Sequence, residues 1–223
     1  MRSQAARQLP LELPHVISFR RDDFLESRAN EAALALVERW PEWPSYAAAI
    51  VGPHGSGKSH LASIWASLSG ARVIPARLLL RDDVPHALAT GALVVENLVP
   101  GDFDEQALFH LFNLAKEDGA SLLFTSAHPL EQGMAALPDL ASRLRLVPCA
   151  KLDAPDDALI AAVLVKLFAD RQVAVEQDLI AYLLPRMERS LGHARELVAK
   201  IDAAALAAGR PATRAFVSAL LRE

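Results

Sequence analysis

The sequence is poor in cysteine. Its 223 residues include a single one, Cys149, so the chain has no disulfide framework and no Cys-x-x-Cys metal or redox pair. Such a composition is typical of a reducing compartment. We therefore expect a cytoplasmic protein in which Cys149 is a small buried apolar side chain.

An excess of positive charge and long apolar runs are also missing. The chain carries 23 Lys and Arg against 27 Asp and Glu, a formal net charge of -4. This balance excludes the global basic surface of most duplex-DNA binders, so any contact with nucleic acid has to be local. No apolar run approaches the roughly 18 residues of a membrane span. Pro10 and Pro14 interrupt the N-terminal leucines, which excludes a signal-peptide core.

The sequence does contain a glycine-rich loop between a predicted strand at 46–51 and a predicted helix at 61–66. The loop has the pattern G-x-x-x-x-G-K-S, in which glycines let backbone N–H groups surround an anion at a helix N-terminus. Lys58 is then expected to reach the β- and γ-phosphates of a nucleotide, and Ser59 to ligate Mg²⁺. The predicted nucleotide-binding residues of the loop are Gly52, Pro53, His54, Gly55, Ser56, Gly57, Lys58 and Ser59.

Short apolar segments alternate with helical patterns through the first two thirds of the chain. This alternation predicts an α/β fold with a doubly wound parallel sheet and helices on both faces. From residue 153 onward only helical patterns remain. The predicted strands are 46–51, 71–74, 92–95, 121–125 and 145–148, and the predicted C-terminal helices are 156–171, 176–188, 190–208 and 211–222. We predict three regions: an extended tail (1–18), an α/β nucleotide-binding domain (19–152) and a small helical lid domain (153–223).

The strand at 92–95 delivers Glu96 and Asn97 to the expected catalytic position. A P-loop hydrolase needs an acid for the Mg²⁺ shell and a carboxylate that orients the attacking water. An amide cannot accept the proton of that water, so intrinsic hydrolysis is expected to be weak if Asn97 occupies the second position. In the other register Glu96 is the activating base, and no acid is left for the metal.

Further residues are candidates by position. Thr125 and Ser126 end a predicted strand, where a hydroxyl could sense the γ-phosphate or merely cap the strand. Arg143 follows an apolar helix and could reach a neighbouring subunit's phosphate as an arginine finger, with Arg145 as its competitor. Arg195 begins a helix of the second domain and could close over the phosphates, or belong to a surface charge pair.

The N-terminal tail carries Gln8 followed by alternating leucines, namely Leu9, Leu11 and Leu13. Its prolines exclude a helix, and an extended chain would present the three leucines on one side. Such a segment could bind a partner's surface, could pack on its own domain, or could be disordered.

Taken together, the motifs resemble the AAA+ ATPase family and, more narrowly, its DnaA clade. Residues 57–61 are similar to the clade's P-loop ending, which adds His60 to the nucleotide site. Residues 24–30 resemble the segment that lies against adenine in the family, 142–144 the arginine-finger box, and 192–197 the sensor II box. The resemblance implies ADP or ATP with Mg²⁺ as ligands, Thr125 or Ser126 as sensor I, and Arg195 as a nucleotide contact.

The chain also departs from the initiator pattern of the clade. It lacks the clade's helix-turn-helix domain, so we expect no direct binding domain for duplex DNA, and the connection before Glu96 is too short for the initiator-specific insertion. The tail resembles a clamp-binding peptide of a regulator in this clade. The resemblance implies a protein that docks on the DNA-loaded sliding clamp, the β subunit of DNA polymerase III, and stimulates ATP hydrolysis by DnaA.

Two other functions stay open. The chain could be an autonomous ATPase with Glu96 as its base, or a clamp-binding scaffold that recruits another replication protein. Whether the protein self-associates is also open.

Overall fold

A computed structural model describes residues 19–131 and 133–222. Gln8, Leu9, Leu11 and Leu13 lie outside these residues. The described part contains five strands and nine helices of the α type, with single 3-10 turns between some of them. The strands are β1 (Ala47–Val51), β2 (Arg72–Pro75), β3 (Ala92–Leu98), β4 (Ser121–Ser126) and β5 (Cys149–Lys151). The helices are α1 (Glu31–Glu38), α2 (Lys58–Ser69), α3 (Val84–Ala87), α4 (Glu105–Asp118), α5 (Pro138–Arg145), α6 (Asp157–Asp170), α7 (Gln177–Leu183), α8 (Leu191–Ala208) and α9 (Arg214–Leu220).

The strands form one parallel sheet in the order β2-β3-β4-β1-β5. Alternate residues of a strand point to opposite faces, and both faces are covered. Ala47 and Ala49 of β1 pack into the core under α4 and α5, whereas Ala48 and Ile50 pack into the core under α1 and α2. The predicted doubly wound sheet is confirmed.

The strands are apolar because both faces are buried, and the side chains that fill the two layers are large. Phe112 of α4 stacks on Phe124 of β4 with 5.3 Å between ring centroids. On the other face Trp65 of α2 is fully buried and stacks on Trp43 at 5.2 Å. These two layers hold the sheet rigid and so fix the positions of its strand ends.

After β5 the described chain is entirely helical, and α6 to α9 surround a third core that contains Leu164, Phe168, Val198 and Ile201. Polar side chains begin these helices: Asp156 accepts from the Leu159 N–H at 2.7 Å, and Ser190 from the His193 N–H. Among the helices of 19–131 and 133–222, none has the length and apolar character that a bilayer crossing requires.

Three sequence-based predictions were wrong in detail. The last strand is not 145–148: residues through Arg145 belong to α5, Leu146 is 80% exposed, and β5 begins at Cys149. Cys149 is exposed rather than buried, because it lies on an edge strand. The second C-terminal helix ends at Leu183 instead of Glu188, since Pro185 lacks the N–H that an α-helix needs and the next turn is 3-10.

Candidate functional site

The carboxyl ends of three neighbouring strands meet at one cavity. The glycine-rich loop follows β1, Glu96 and Asn97 lie near the end of β3, and Thr125 lies near the end of β4. Because β3, β4 and β1 are adjacent and parallel, these residues lie side by side. The cavity has a volume of about 270 Å³, and its lining includes His54, Gly55, Gly57, Lys58, Ser59, His60, Glu96, Asn97, Thr125 and Arg195.

The glycine-rich loop is shaped by close backbone approaches. Gly55 has φ +69°, and a Cβ on it would lie 1.9 Å from the Oγ of Ser190. A Cβ on Gly52 would lie 2.4 Å from the carbonyl oxygen of Leu152. The Leu191 N–H also donates to the Gly55 carbonyl at 2.8 Å. The first turn of α8 therefore rests directly on the loop, and glycine is required where it does so.

Lys58 carries the positive charge of the loop. Its side chain is buried, and Nζ donates to the carbonyl oxygens of Gly52 and Pro53 at 2.7 Å each. Burial lowers the pKa of Lys58, and the charge of Glu96 opposes that decrease. The ammonium forms no ion pair within residues 19–131 and 133–222. A buried cation without a counter-ion favours an anionic ligand.

Glu96 supplies the acid of the cavity. Its Oε1 is buried and has no hydrogen-bond partner in the described part of the chain, and the same holds for the Oγ of Ser56. A buried carboxylate oxygen without a donor fits a hydrated Mg²⁺, which binds through one or two carboxylates together with phosphates. Ser59 is exposed at the start of α2 and can supply a hydroxyl to the same ion.

Asn97 lies in the left-handed region, with φ +57°, which asparagine tolerates better than most residues. Its N–H donates to the Oγ1 of Thr125 at 2.9 Å, and the pairing of β3 with β4 shifts register between Val95 and Leu98. Both Glu96 and Asn97 line the cavity. The division of roles between them stays a prediction.

The two sensor I candidates differ in what they contact. Thr125 lines the cavity, whereas Ser126 is fully buried. The Ser126 hydroxyl donates to the Leu98 carbonyl at 2.7 Å and accepts from the His128 N–H at 2.9 Å. Ser126 therefore holds the strand end together, and Thr125 is the one of the two candidates that lines the cavity.

Arg195 of α8 faces the cavity from the helical side. Its guanidinium lies 5.1 Å from the ring centroid of Phe19, and burial lowers the pKa of Arg195. Phe19 also packs edge-on against His60 at 5.3 Å. The pKa of His60 is lowered, chiefly by burial and further by the charge of Arg195. His60 is therefore neutral near pH 7, and Arg195 is a second cation without an ion-pair partner in 19–131 and 133–222.

A second, mainly apolar pocket adjoins the cavity and shares Gly57, His60 and Arg195 with it. It lies between the segment before α1 and the helices α6 and α8. The remaining lining residues are Asp23, Phe24, Leu25, Asn30, Leu159, Val163, Lys166, Leu167, Asp170, Arg171 and Leu191. A mainly apolar pocket next to a cavity that contains Lys58 and Arg195 combines the two kinds of surface that a nucleotide base and its phosphates require.

Lys166 closes one side of this pocket. Its Nζ lies 2.7 Å from Asp23 and 2.9 Å from Asp170. Burial opposes its charge, but the hydrogen bonds to the two carboxylates raise the pKa of Lys166 overall. The pair with Asp23 joins α6 to the segment that precedes α1, so the pocket is held by both parts of the molecule.

Arg143 lies near the start of β1, whereas the glycine-rich loop follows the end of that strand. Its guanidinium is 4.6 Å from the Phe109 ring centroid, in a groove lined also by Tyr46 and Ala47, at the start of β1. Arg145 is exposed and donates to the Ser142 Oγ at 3.1 Å. Neither arginine lines the cavity at the chain's own loop.

Sequence patterns alone did not identify Phe19, Asp23 and Lys166 as site residues. Phe19 and Asp23 precede the first helix, and Lys166 lies more than a hundred residues from the loop in a helix without a recognisable motif. In the sequence, Lys166 and Asp170 have the i,i+4 spacing of a helical ion pair. Such a pair usually indicates a helix surface and not a binding site.

Comparisons with known proteins support the α/β fold described above. No protein-family model matches the chain. An uncharacterized protein of Haemophilus influenzae is 28% identical over 187 residues, which cover 77% of this chain and 80% of that protein. Domain III of the Thermotoga maritima replication initiation protein DnaA has a TM-score of 0.76 at 18% identity, with 92% of this chain and 95% of that chain covered.

Two further solved structures extend this comparison. AMPPCP-bound DnaA from Aquifex aeolicus has a TM-score of 0.63 at 18% identity, covering 82% of this chain and 64% of that one. The RuvB Holliday junction branch migration motor from Thermotoga maritima has a TM-score of 0.67 at 17% identity, covering 87% of this chain and 66% of that one. The chain therefore has the fold of an AAA+ P-loop NTPase and resembles DnaA domain III in its arrangement.

Proposed function

We propose that this AAA+ chain is a nucleotide-bound regulator similar to the DnaA-related protein Hda. In this proposal it binds ADP or ATP with Mg²⁺, docks on the DNA-loaded sliding clamp, and stimulates ATP hydrolysis by the initiator DnaA. Replication would thereby be limited to one initiation per cycle. The proposal rests on the fold together with the chemistry of the candidate site.

Nucleotide binding is supported by the two cations of the cavity. Lys58 and Arg195 both lack a carboxylate partner within the described residues, and phosphates would neutralise them. Gly55 and Gly57 would let backbone N–H groups approach the phosphates, and Ser59 with Glu96 would hold Mg²⁺. The base would occupy the apolar pocket beside Phe24 and Leu159. The similar DnaA structure from Aquifex aeolicus contains AMPPCP, which is an ATP analogue.

The regulatory role rests on the position of Arg143. An arginine finger must lie where another subunit's phosphates can reach it. Arg143 is half-buried against Phe109, far along the sheet from the chain's own loop, so it is available to a neighbouring AAA+ module. Asn97 beside Glu96 supports weak intrinsic hydrolysis, because an amide cannot act as a general base.

A DnaA hydrolysis assay with DNA-loaded clamp tests the proposal. Arg143→Ala should reduce stimulated hydrolysis to the rate of DnaA alone, because a finger contributes about 10³-fold or more in kcat. Arg145→Ala is the matched control, since it removes the same charge two residues away and should retain stimulation. Both variants should bind ADP and clamp as the wild type does. Full stimulation by Arg143→Ala would rule out the proposed finger.

An autonomous ATPase remains the second candidate, and the unpartnered Oε1 of Glu96 favours it. In that case the purified chain alone should turn over ATP at about 1 s⁻¹ or faster, and Glu96→Gln should abolish the activity. The regulatory proposal expects much slower turnover by the isolated chain. A steady-state assay without DnaA or clamp therefore separates the two functions.

A further inference from the structure

The helical lid carries a basic groove of about 620 Å³ that the nucleotide site does not use. It lies among α7, α8, α9 and the 3-10 turn Leu184–Arg186. None of its lining residues lines the cavity at the glycine-rich loop. The lining residues are Tyr182, Leu183, Arg186, His193, Leu197, Arg214, Ser218, Leu221 and Arg222.

The groove and the nucleotide site use opposite faces of α8. His193 and Leu197 line the groove, and they share one helix face because they are four residues apart. Arg195, midway between them, is rotated by about 200° and faces the nucleotide cavity. A ligand in the groove therefore does not compete for the residues that would hold a nucleotide.

Three arginines concentrate positive charge in the groove. The guanidinium of Arg186 lies 4.1 Å from the ring centroid of Tyr182, and that of Arg214 lies 5.5 Å from it. Arg222 is the third, and all three are exposed. None of them pairs with a carboxylate among residues 19–131 and 133–222. The acids Glu176 and Asp178 line a neighbouring groove beside Arg214.

The side chain of Tyr182, which lines the groove, is also affected by this positive charge. The pKa of Tyr182 is lowered by a hydrogen bond with Ser218 and by the charges of Arg186, Arg222 and Arg214. The ring also holds two guanidiniums in place through cation–π contacts, so less side-chain freedom is lost when they bind a ligand. Their N–H groups remain available, apart from one that Arg186 donates to the Tyr182 carbonyl at 3.0 Å.

We propose that this groove binds the phosphate backbone of a nucleic-acid strand. The planar forks of arginine match phosphate oxygens in pairs of hydrogen bonds. A groove of this volume is larger than one phosphate ion needs and suits several successive phosphates. The Tyr182 ring already contacts the guanidiniums of Arg186 and Arg214, so the proposed contact is to the backbone and not to stacked bases. The net charge of -4 disfavours non-specific attraction of a polyanion to the rest of the surface.

The test is fluorescence anisotropy of the full chain with a labelled DNA of about 20 nucleotides, as a single strand and as a duplex. Binding is measured between about 50 and 200 mM salt, where three phosphate contacts predict an affinity loss of about 40-fold for duplex. The triple variant Arg186→Gln, Arg214→Gln, Arg222→Gln should weaken binding at low salt at least tenfold and remove most of the salt dependence. Arg222→Gln alone should lower the slope by about one.

The matched control changes the same amount of charge elsewhere. Arg39, Arg77 and Arg81 are exposed, and their replacement by Gln should change DNA affinity less than about threefold, since distant charges are screened. Equal losses in both triple variants, or no DNA binding by the wild type, would overturn the proposal. A glutamate-rich peptide that binds more tightly than DNA would also overturn it and indicate an acidic protein partner.

ADP affinity and the circular dichroism spectrum check that each variant is folded. Because the assay contains neither clamp nor DnaA, its result is independent of the function proposed above. A chain that binds DNA but does not stimulate DnaA, or the reverse, separates the two proposals.

Discussion

Gly55 is one of the residues at which the two parts of the molecule meet. Its carbonyl accepts from Leu191 at the start of α8, and its missing Cβ leaves room for Ser190. Ser190 cannot move away freely, because its Oγ caps α8 by accepting from the His193 N–H. One glycine thus shapes the glycine-rich loop and also allows the start of α8 to pack against it.

We predict that Gly55→Ala destabilises the protein by more than the cost of placing alanine in a left-handed backbone conformation. The left-handed backbone should cost about 1–2 kcal/mol for alanine, and the clash with Ser190 should add about 1–3 kcal/mol. ADP affinity should also fall, because α8 carries Arg195. Urea unfolding and calorimetric titration with ADP measure the two effects.

Gly119→Ala is the control for this variant. Gly119 has nearly the same φ, +67°, but a Cβ there would meet nothing within 4 Å. It should therefore show the backbone cost alone and leave ADP affinity unchanged. If the two variants lose equal stability, Gly55 does not serve as a contact point for the lid.

Helix α4 positions helix α5, which carries Arg143. The two carboxylate oxygens of Glu105, the first residue of α4, accept from the N–H groups of Ala136 and Leu137 at 2.8 and 2.7 Å. One turn later Phe109 supports the Arg143 guanidinium. Two contacts from one helix therefore fix where α5 begins and where its arginine lies.

We predict that Glu105→Ala impairs the proposed arginine finger, Arg143, and leaves nucleotide binding unchanged. Losing both hydrogen bonds should free the start of α5 and lower stability by about 1–3 kcal/mol. Stimulation of DnaA should fall in the proposed function, whereas ADP affinity should not change. Amide exchange at Ala136 and Leu137 should speed up and report the mechanism directly.

Glu117→Ala provides the matched control on the same helix. Glu117 is exposed and forms no hydrogen bond or ion pair with a described residue, so its loss should leave exchange at Ala136 and Leu137 unchanged. Slow exchange at those two amides in Glu105→Ala would show that α5 is held by other contacts, and Glu105 would then have no positioning role.

The elements could be predicted wherever a pattern is local. The apolar runs of β1 and β4 and the capping residues before α6 and α8 determine those elements from nearby sequence. The prediction failed at 145–148, because Leu144 is buried as part of α5 and Val147 is buried just after that helix, and neither pairs in a strand. Leu146, which a strand would bury, is exposed there.

At the scale of the whole molecule, the residues of the candidate site could be predicted only where they belong to a sequence motif. The glycine-rich loop, Glu96, Asn97 and Thr125 follow strands in a recognisable order, so their convergence is expected from a parallel sheet. The pocket beside them is built from two distant segments, with Phe24 before α1 and with Leu159 and Lys166 in α6. Their meeting depends on how the helical part docks, and no local pattern encodes that.

Because the α/β part and the helical part both contribute residues to the pocket, we predict that a bound nucleotide stabilises both parts together. At a concentration of ADP about 100 times its Kd, binding should stabilise the folded state by about 2.7 kcal/mol. For a chain of this size the thermal midpoint should rise by about 5–11 °C. Lys58→Ala should show almost no shift, because it loses the buried cation of the phosphate site.

Two probes distinguish joint stabilisation from stabilisation of the α/β part alone. All three tryptophans, Trp40, Trp43 and Trp65, belong to the α/β part, so their fluorescence reports its unfolding. Amide exchange in α6 to α9 reports the helical part. Because Phe24 and Leu159 line one pocket, ADP can bind fully only when the two parts are docked, and both signals should shift together. A shift in fluorescence without slower exchange in α6 and α8 would mean that the lid contributes nothing to binding.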